Sequence, residues 1–187
     1  MNRIFWRLVA VVMLSAVALA SSSRAAEPVA GDDVEAKVAA LVAGPQVTIV
    51  HLWAPWCGNC KNEMRPDGWA KFVAANPAVK IVFVNVWHKG QDGAPKLAAA
   101  GLAGGGTDAT GGAPGASGGA AENFLALTHA NASNARGEKL EKFLGMPVQW
   151  VPTTWVYRDG KLRYALNYGE VRFEMLQQMV NDAAAKW

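Results

Sequence analysis

Charge is scarce in this chain: Asp, Glu, Lys and Arg make up 18% of 187 residues. The small positive excess sits at one end. Residues 1–25 hold Arg3, Arg7 and Arg24 and no acid, and the rest of the chain carries 15 basic and 15 acidic residues. That remainder has no basic tract able to neutralise phosphates, so nucleic-acid binding has no electrostatic support. Long apolar runs are equally few. Leu8–Ala20, apolar apart from Ser15, is the one long run, and its 13 residues as a helix reach about 20 Å, short of a hydrocarbon core of roughly 30 Å. Cysteine is limited to Cys57 and Cys60. An exported domain held by disulfide staples usually has more cysteines, spaced further apart. A ring as small as Cys57–Cys60 constrains the unfolded chain little, so chemistry explains the pair better than stapling does.

The N-terminal segment reads as a secretory signal peptide over residues 1–25. Arg3 and Arg7 precede the apolar run, and Ser21-Ser22-Ser23-Arg24-Ala25-Ala26 supplies small residues for cleavage after Ala25, with Ala20 the other candidate. The competing reading is an uncleaved membrane anchor over residues 8–20. After cleavage, one soluble domain is expected over 26–187. A bacterial periplasm is the simplest destination, and eukaryotic secretion is the other.

In the mature chain, Asp32 and Glu35 mark a helix start, with Val34, Val38, Leu41 and Val42 on one face and Gly44-Pro45 as a stop. Val47–Trp53 and Lys80–Trp87 are apolar, β-branched runs typical of strands buried on both faces. Between them the sequence is helical from Cys60 to about Ala75, which makes a right-handed βαβ unit. Residues 89–121 are rich in Gly and Ala; Gly104–Ala121 alone holds eight Gly, five Ala and one charge. So little apolar surface cannot offset ordering entropy, which predicts a flexible surface insertion, a folded lid being the alternative. Structure resumes over Glu122–Leu127, and a helix is expected over about Glu138–Leu144, ended by Gly145. Asp159-Gly160 joins strands Thr153–Arg158 and Leu162–Tyr168 as a hairpin. Glu170–Lys186 is an amphipathic helix with Val171, Met175, Leu176, Met179 and Val180 facing the core. The fold class is α/β.

Chemistry concentrates in Trp53-Ala54-Pro55-Trp56-Cys57-Gly58-Asn59-Cys60-Lys61, where a buried strand meets a helix. Cys57 falls at the helix N-terminus, where unpaired N–H groups and the macrodipole favour a thiolate and lower the pKa from about 8.5. Cys60, one turn on and more enclosed, suits the resolving role in thiol–disulfide exchange.

This string resembles the active site of the thioredoxin superfamily, and Val151-Pro152-Thr153-Thr154 resembles that family's cis-proline segment. The resemblance covers roughly residues 32–87 and 138–187 and leaves the Gly-rich stretch outside. It implies a thioredoxin-like fold, a central mixed sheet flanked by helices. It also implies that Pro152 is cis, that Val151 offers main-chain groups to substrate, and that Trp56 forms part of the substrate-binding rim. Among subfamilies the chain looks most like the TlpA/ResA-like periplasmic oxidoreductases. That likeness implies a reductase of exported protein disulfides, fed by a membrane electron donor, with no cofactor and no resident metal. Three departures stand out. Pro66 comes six residues after the second Cys where the family commonly has five, Gly58-Asn59 replaces Gly-Pro, and Pro152 is followed by Thr153 rather than Glu.

His51 lies six positions before Cys57, where thioredoxins place a buried acid. An imidazole there can accept the proton of Cys60, directly or through water. A neutral core histidine is the competing reading. Trp53 and Trp150 are further rim candidates, with Trp53 partly a packing residue. Glu63 and Lys61 read as an exposed helix face, and His88 and His129 as surface or loop residues. The alternative function is a Cu(I) or zinc metallochaperone using the same two cysteines, since soft thiolates suit Cu(I). A closed zinc site would need four ligands, and no second CxxC is present.

Overall fold

A computed structural model describes residues 33–102, 122–129, 140–167 and 169–185. The expected signal peptide and the Gly-rich core of the insertion fall outside these residues. Among the described residues no helix is long and apolar enough to cross a membrane.

The β-branched runs form strands β1 (Thr48–Trp53) and β2 (Lys80–Asn85), which lie parallel, with Trp53 paired to Asn85 at their ends. Strand β3 (Phe124–Thr128) adds parallel to β2, and the hairpin β6 (Thr153–Arg158) and β7 (Lys161–Leu166) joins antiparallel to β1. The mixed sheet runs β3-β2-β1-β6-β7, so β1, which leads into Cys57, is central. Asp159 and Gly160 have φ of 52° and 71°, the left-handed pair that a two-residue hairpin turn requires.

Strand alternation divides the core. Ile49, His51 and Trp53 face α2 (Gly58–Glu63), α3 (Trp69–Ala75) and α5 (Phe173–Ala184), while Val50 and Leu52 face α1 (Asp33–Val42). In α5 the buried positions are Leu176, Val180 and Ala183. Met175 is 36% exposed and Val171 is buried ahead of the helix, so the inward stripe is shorter than the sequence period predicts.

Three expectations need correcting. The helix expected from Cys60 to Ala75 is two helices, α2 and α3. Pro66 has no N–H to continue the first. Gly68 then passes so close to the Glu63 carbonyl that no side chain fits there. In place of a helix ending at Leu144, the described residues form a small hairpin of β4 (Lys142–Phe143) and β5 (Met146–Pro147), and 138–139 lie outside them. Its turn residues Leu144 and Gly145 have φ of 49° and 72°, and the Leu144 N–H donates to the Glu35 carboxylate at 2.6 Å. Glu35 therefore ties down this turn; Asp32, its expected capping partner, is not among the described residues.

The third correction concerns 89–121. Its first part is ordered: Asp92 accepts a hydrogen bond from the Ala94 N–H and starts α4 (Ala94–Ala99), with Pro95 in the first turn. Leu97 and Leu102 are buried in the same core as the cysteines. The apolar surface of those two leucines is what the composition argument, averaged over a Gly-rich stretch, undercounted.

Candidate active site

β1 delivers the chain to the loop 54–56, and Cys57 then caps α2 in an extended conformation. Its Sγ accepts a hydrogen bond from the Cys60 N–H at 3.2 Å. Cys57 and Cys60 form a disulfide, with Cα atoms 5.3 Å apart. Cys60 is fully buried and Cys57 nearly so. The Val151–Pro152 bond is cis, and the Val151 carbonyl oxygen lies 3.6 Å from the Cys57 Sγ. Sequence-predicted Cys57, Cys60, Val151 and Pro152 therefore meet at one place.

His51 is buried directly in the sheet face beneath, between the rings of Trp69 and Phe83 at 4.7 and 4.5 Å. Its Nδ1 lies 2.9 Å from the Thr154 hydroxyl. Its Nε2 lies 3.2 Å from Glu63 Oε2, close enough for charge attraction but not aligned as a hydrogen bond.

Glu63 is the residue that sequence reasoning missed. It is buried, not part of an exposed face. Trp69 Nε1 donates to its Oε2 at 3.1 Å and the Val171 N–H to its Oε1 at 2.6 Å. Both carboxyl oxygens of Glu63 are thus engaged by N–H donors from other parts of the chain. Glu63 follows Cys60 by three positions on α2, so both share the inward face. That spacing was the available signal. An isolated reading of Glu63 as a surface charge ignored that Cys60 already fixes which face points inward. Lys61 is exposed, as expected.

The rim residues divide. Trp53 is buried, and Gly93 approaches its ring so closely that a Cβ there would lie 2.8 Å from Cη2, so Trp53 packs and does not form rim. Trp56 is half-buried, with its indole N–H donating to the Trp87 carbonyl at 2.6 Å. Trp150 is 58% exposed. The segment after β2 reaches the active-site loop twice more: Lys96 Nζ donates to the Pro55 carbonyl, and the Lys89 ammonium lies 3.8 Å from the Trp56 ring centroid.

Neither remaining histidine joins this group. His88 is partly buried, and desolvation lowers its pKa from the ordinary 6.5. His129 is not a surface residue: it is buried beside Phe143, where the β4–β5 hairpin covers it. Among the described residues no group of three His, Cys, Asp or Glu side chains is placed to hold a metal ion, so the two cysteines have no third ligand of those types beside them.

A family model described as a thioredoxin-like domain matches residues 34–184. No curated protein was found to match. Among solved structures, a secreted disulfide oxidoreductase of Mycobacterium tuberculosis, described as homologous to E. coli DsbE, is 21% identical with a TM-score of 0.48, covering 76% of this chain and 85% of that one. StoA from Bacillus subtilis is 19% identical with a TM-score of 0.46, covering 73% and 83%. A DsbF homologue from Corynebacterium diphtheriae is 15% identical with a TM-score of 0.47, covering 75% and 73%.

Proposed function

Since the chain belongs to the thioredoxin-like family and closes its CxxC pair as a disulfide, it is a thiol–disulfide oxidoreductase, and we propose that it works as a reductase of exported proteins. One observation carries this reading: a cysteine capping a helix beside the Val151 carbonyl of a cis-proline bond, disulfide-linked to a fully buried partner cysteine.

In the proposed cycle the Cys57 thiolate attacks a substrate disulfide. A Cys57–substrate mixed disulfide forms, and the first substrate sulfur leaves as a thiolate. Cys60 loses its proton and attacks the Cys57 sulfur, which forms the Cys57–Cys60 disulfide and releases the second substrate thiolate. Two electrons have moved to the substrate, and a partner dithiol returns the protein to its reduced form.

The difficult moment is the deprotonation of Cys60 in an apolar enclosure, because burial disfavours the thiolate. His51 is the proposed acceptor. With Nδ1–H donating to the Thr154 hydroxyl, Nε2 keeps the free lone pair and takes the Cys60 proton, directly or through water, and the imidazolium so formed lies 3.2 Å from Glu63 Oε2. Main-chain groups of Val151 and the Trp56 rim receive the substrate segment. Export through the signal peptide to the periplasm, and a membrane electron donor, complete the reading.

The test is kinetic. In Cys60→Ser, a mixed disulfide with a model oxidised protein should accumulate on Cys57 and stall. In His51→Asn, the first step should proceed while resolution slows about a hundredfold and loses its pH dependence near neutrality. An unchanged pH profile in His51→Asn would remove the histidine from the mechanism.

A further inference from the structure

The segment following β2, which the sequence assigned to a flexible insertion, places a cation at the rim of the active site. Trp56, the neighbour of Cys57, is held edge-on to Trp87, with ring centroids 4.5 Å apart, and its N–H is taken by the Trp87 carbonyl. The Lys89 ammonium lies 3.8 Å from the Trp56 centroid and 4.7 Å from that of Trp87. Lys89 is exposed and sits at φ 51°, a conformation that glycine or asparagine adopts far more easily than lysine does. Holding a lysine there is unfavourable for the backbone, and the pair of indole faces is what the side chain gains in return.

Among the described residues, no carboxylate pairs with Lys89. Asp92, on the same segment, is engaged at the start of α4, and Glu63 is buried beneath the sheet face. Lys61, one residue past Cys60, is exposed, and Lys96 reaches the Pro55 carbonyl. Beyond residue 25 the chain carries equal numbers of acidic and basic residues, so lysines on Trp56 and on the Pro55 carbonyl are a local feature of this loop and not the average of the chain.

We propose that Lys89, fixed on the Trp56–Trp87 pair, is a specificity residue that favours partner proteins with an acidic residue next to the disulfide cysteine that Cys57 attacks. This rests on the exchange reading above. An acid on the incoming segment meets an ammonium already positioned on Trp56, the residue before the attacking cysteine, which raises the encounter rate and orients the segment. Contacts of this exposed kind weaken within about 10 Å at 0.1 M salt.

Two short disulfide-closed peptides of equal length, one with Asp and one with Lys beside each cysteine, test the assignment. The protein reduces them with dithiothreitol as regenerant, and the readout is the ratio of kcat/KM for the acidic over the basic peptide. The expected ratio at low salt is about tenfold, falling toward one as salt rises past a few tenths molar. Lys89→Glu should bring it to one or below, whereas Lys161→Glu, an equal charge change at the far end of the β6–β7 hairpin, should leave it where it was. Because the ratio is taken within one protein sample, partial unfolding of a variant cancels. A wild-type ratio near one overturns the proposal, as does a Lys161→Glu shift equal to that of Lys89→Glu. Failure of the wild type to reduce even neutral hydroxyethyl disulfide overturns the exchange reading and the proposal with it; reduction with a ratio of one overturns the proposal alone.

Discussion

The two faces of one strand, β1, make the instructive contrast. On one face, Val50 and Leu52 join Val34, Val38, Val82 and Val84 in a mostly aliphatic layer that also holds Phe143, Trp155 and Tyr157. On the other, His51, between those two residues in the same strand, faces Glu63 and the rings of Trp69 and Phe83. Both faces are buried, yet only one sets a carboxyl group against an imidazole. A buried carboxyl–imidazole pair stabilises a fold less well than apolar residues of the same volume, so its presence on one face alone points to chemistry there and packing on the other.

The contrast can be broken most severely at the sulfur. Cys57→Ser should abolish disulfide turnover, a loss of at least about a thousandfold, without loss of folded structure in circular dichroism. Next comes the aliphatic face. Leu52→Ala should lower stability by about 2–5 kcal/mol in denaturant titration while leaving the exchange rate of the folded molecules unchanged. Should that variant also alter exchange chemistry, the two faces would not be separable. Glu63→Gln keeps the volume but turns an amide toward the Trp69 and Val171 N–H donors. It should cost about 1–3 kcal/mol and, unlike Leu52→Ala, also slow the resolution step.

The smallest effect belongs to the strap beside the site. His88 Nδ1 accepts a hydrogen bond from the Gly90 N–H at 3.0 Å, a bond that only a ring unprotonated at Nδ1 can accept. Desolvation lowers the folded-state pKa below 6.5. The neutral ring is therefore the form the fold favours. Its stabilisation is present above the unfolded value and is lost as pH falls through the folded one. Hydrogen exchange at Gly90 should quicken below that range while β1 and β2 amides stay protected; equal quickening everywhere would mean global acid unfolding instead.

Much of this was legible from the chain. The β-branched runs, the Asp159-Gly160 turn and the CxxC at a strand–helix junction each have a local physical cause, and each stands in the structure where the sequence put it. Glu63 was not legible as a lone acid. Its burial follows from the break after α2, which Pro66 and Gly68 impose, and from Val171, more than a hundred residues on, supplying a donor. The ordered strap was hidden for a different reason. Two leucines, an Asp92 cap and a Gly93 fitted against Trp53 outweigh the surrounding glycines, and composition averages such positions away. The hairpin at 142–147 depends on Glu35, a contact across the whole domain that no window of sequence contains.

The most direct test of the central claim is the reduction potential of the Cys57–Cys60 pair, by equilibration of the purified protein with thiol buffers of known poise. A reductase should fall near the thioredoxin value of about −270 mV. A value near −120 mV, that of a strong disulfide donor, would contradict the reductase assignment and make this protein an oxidant of its partners.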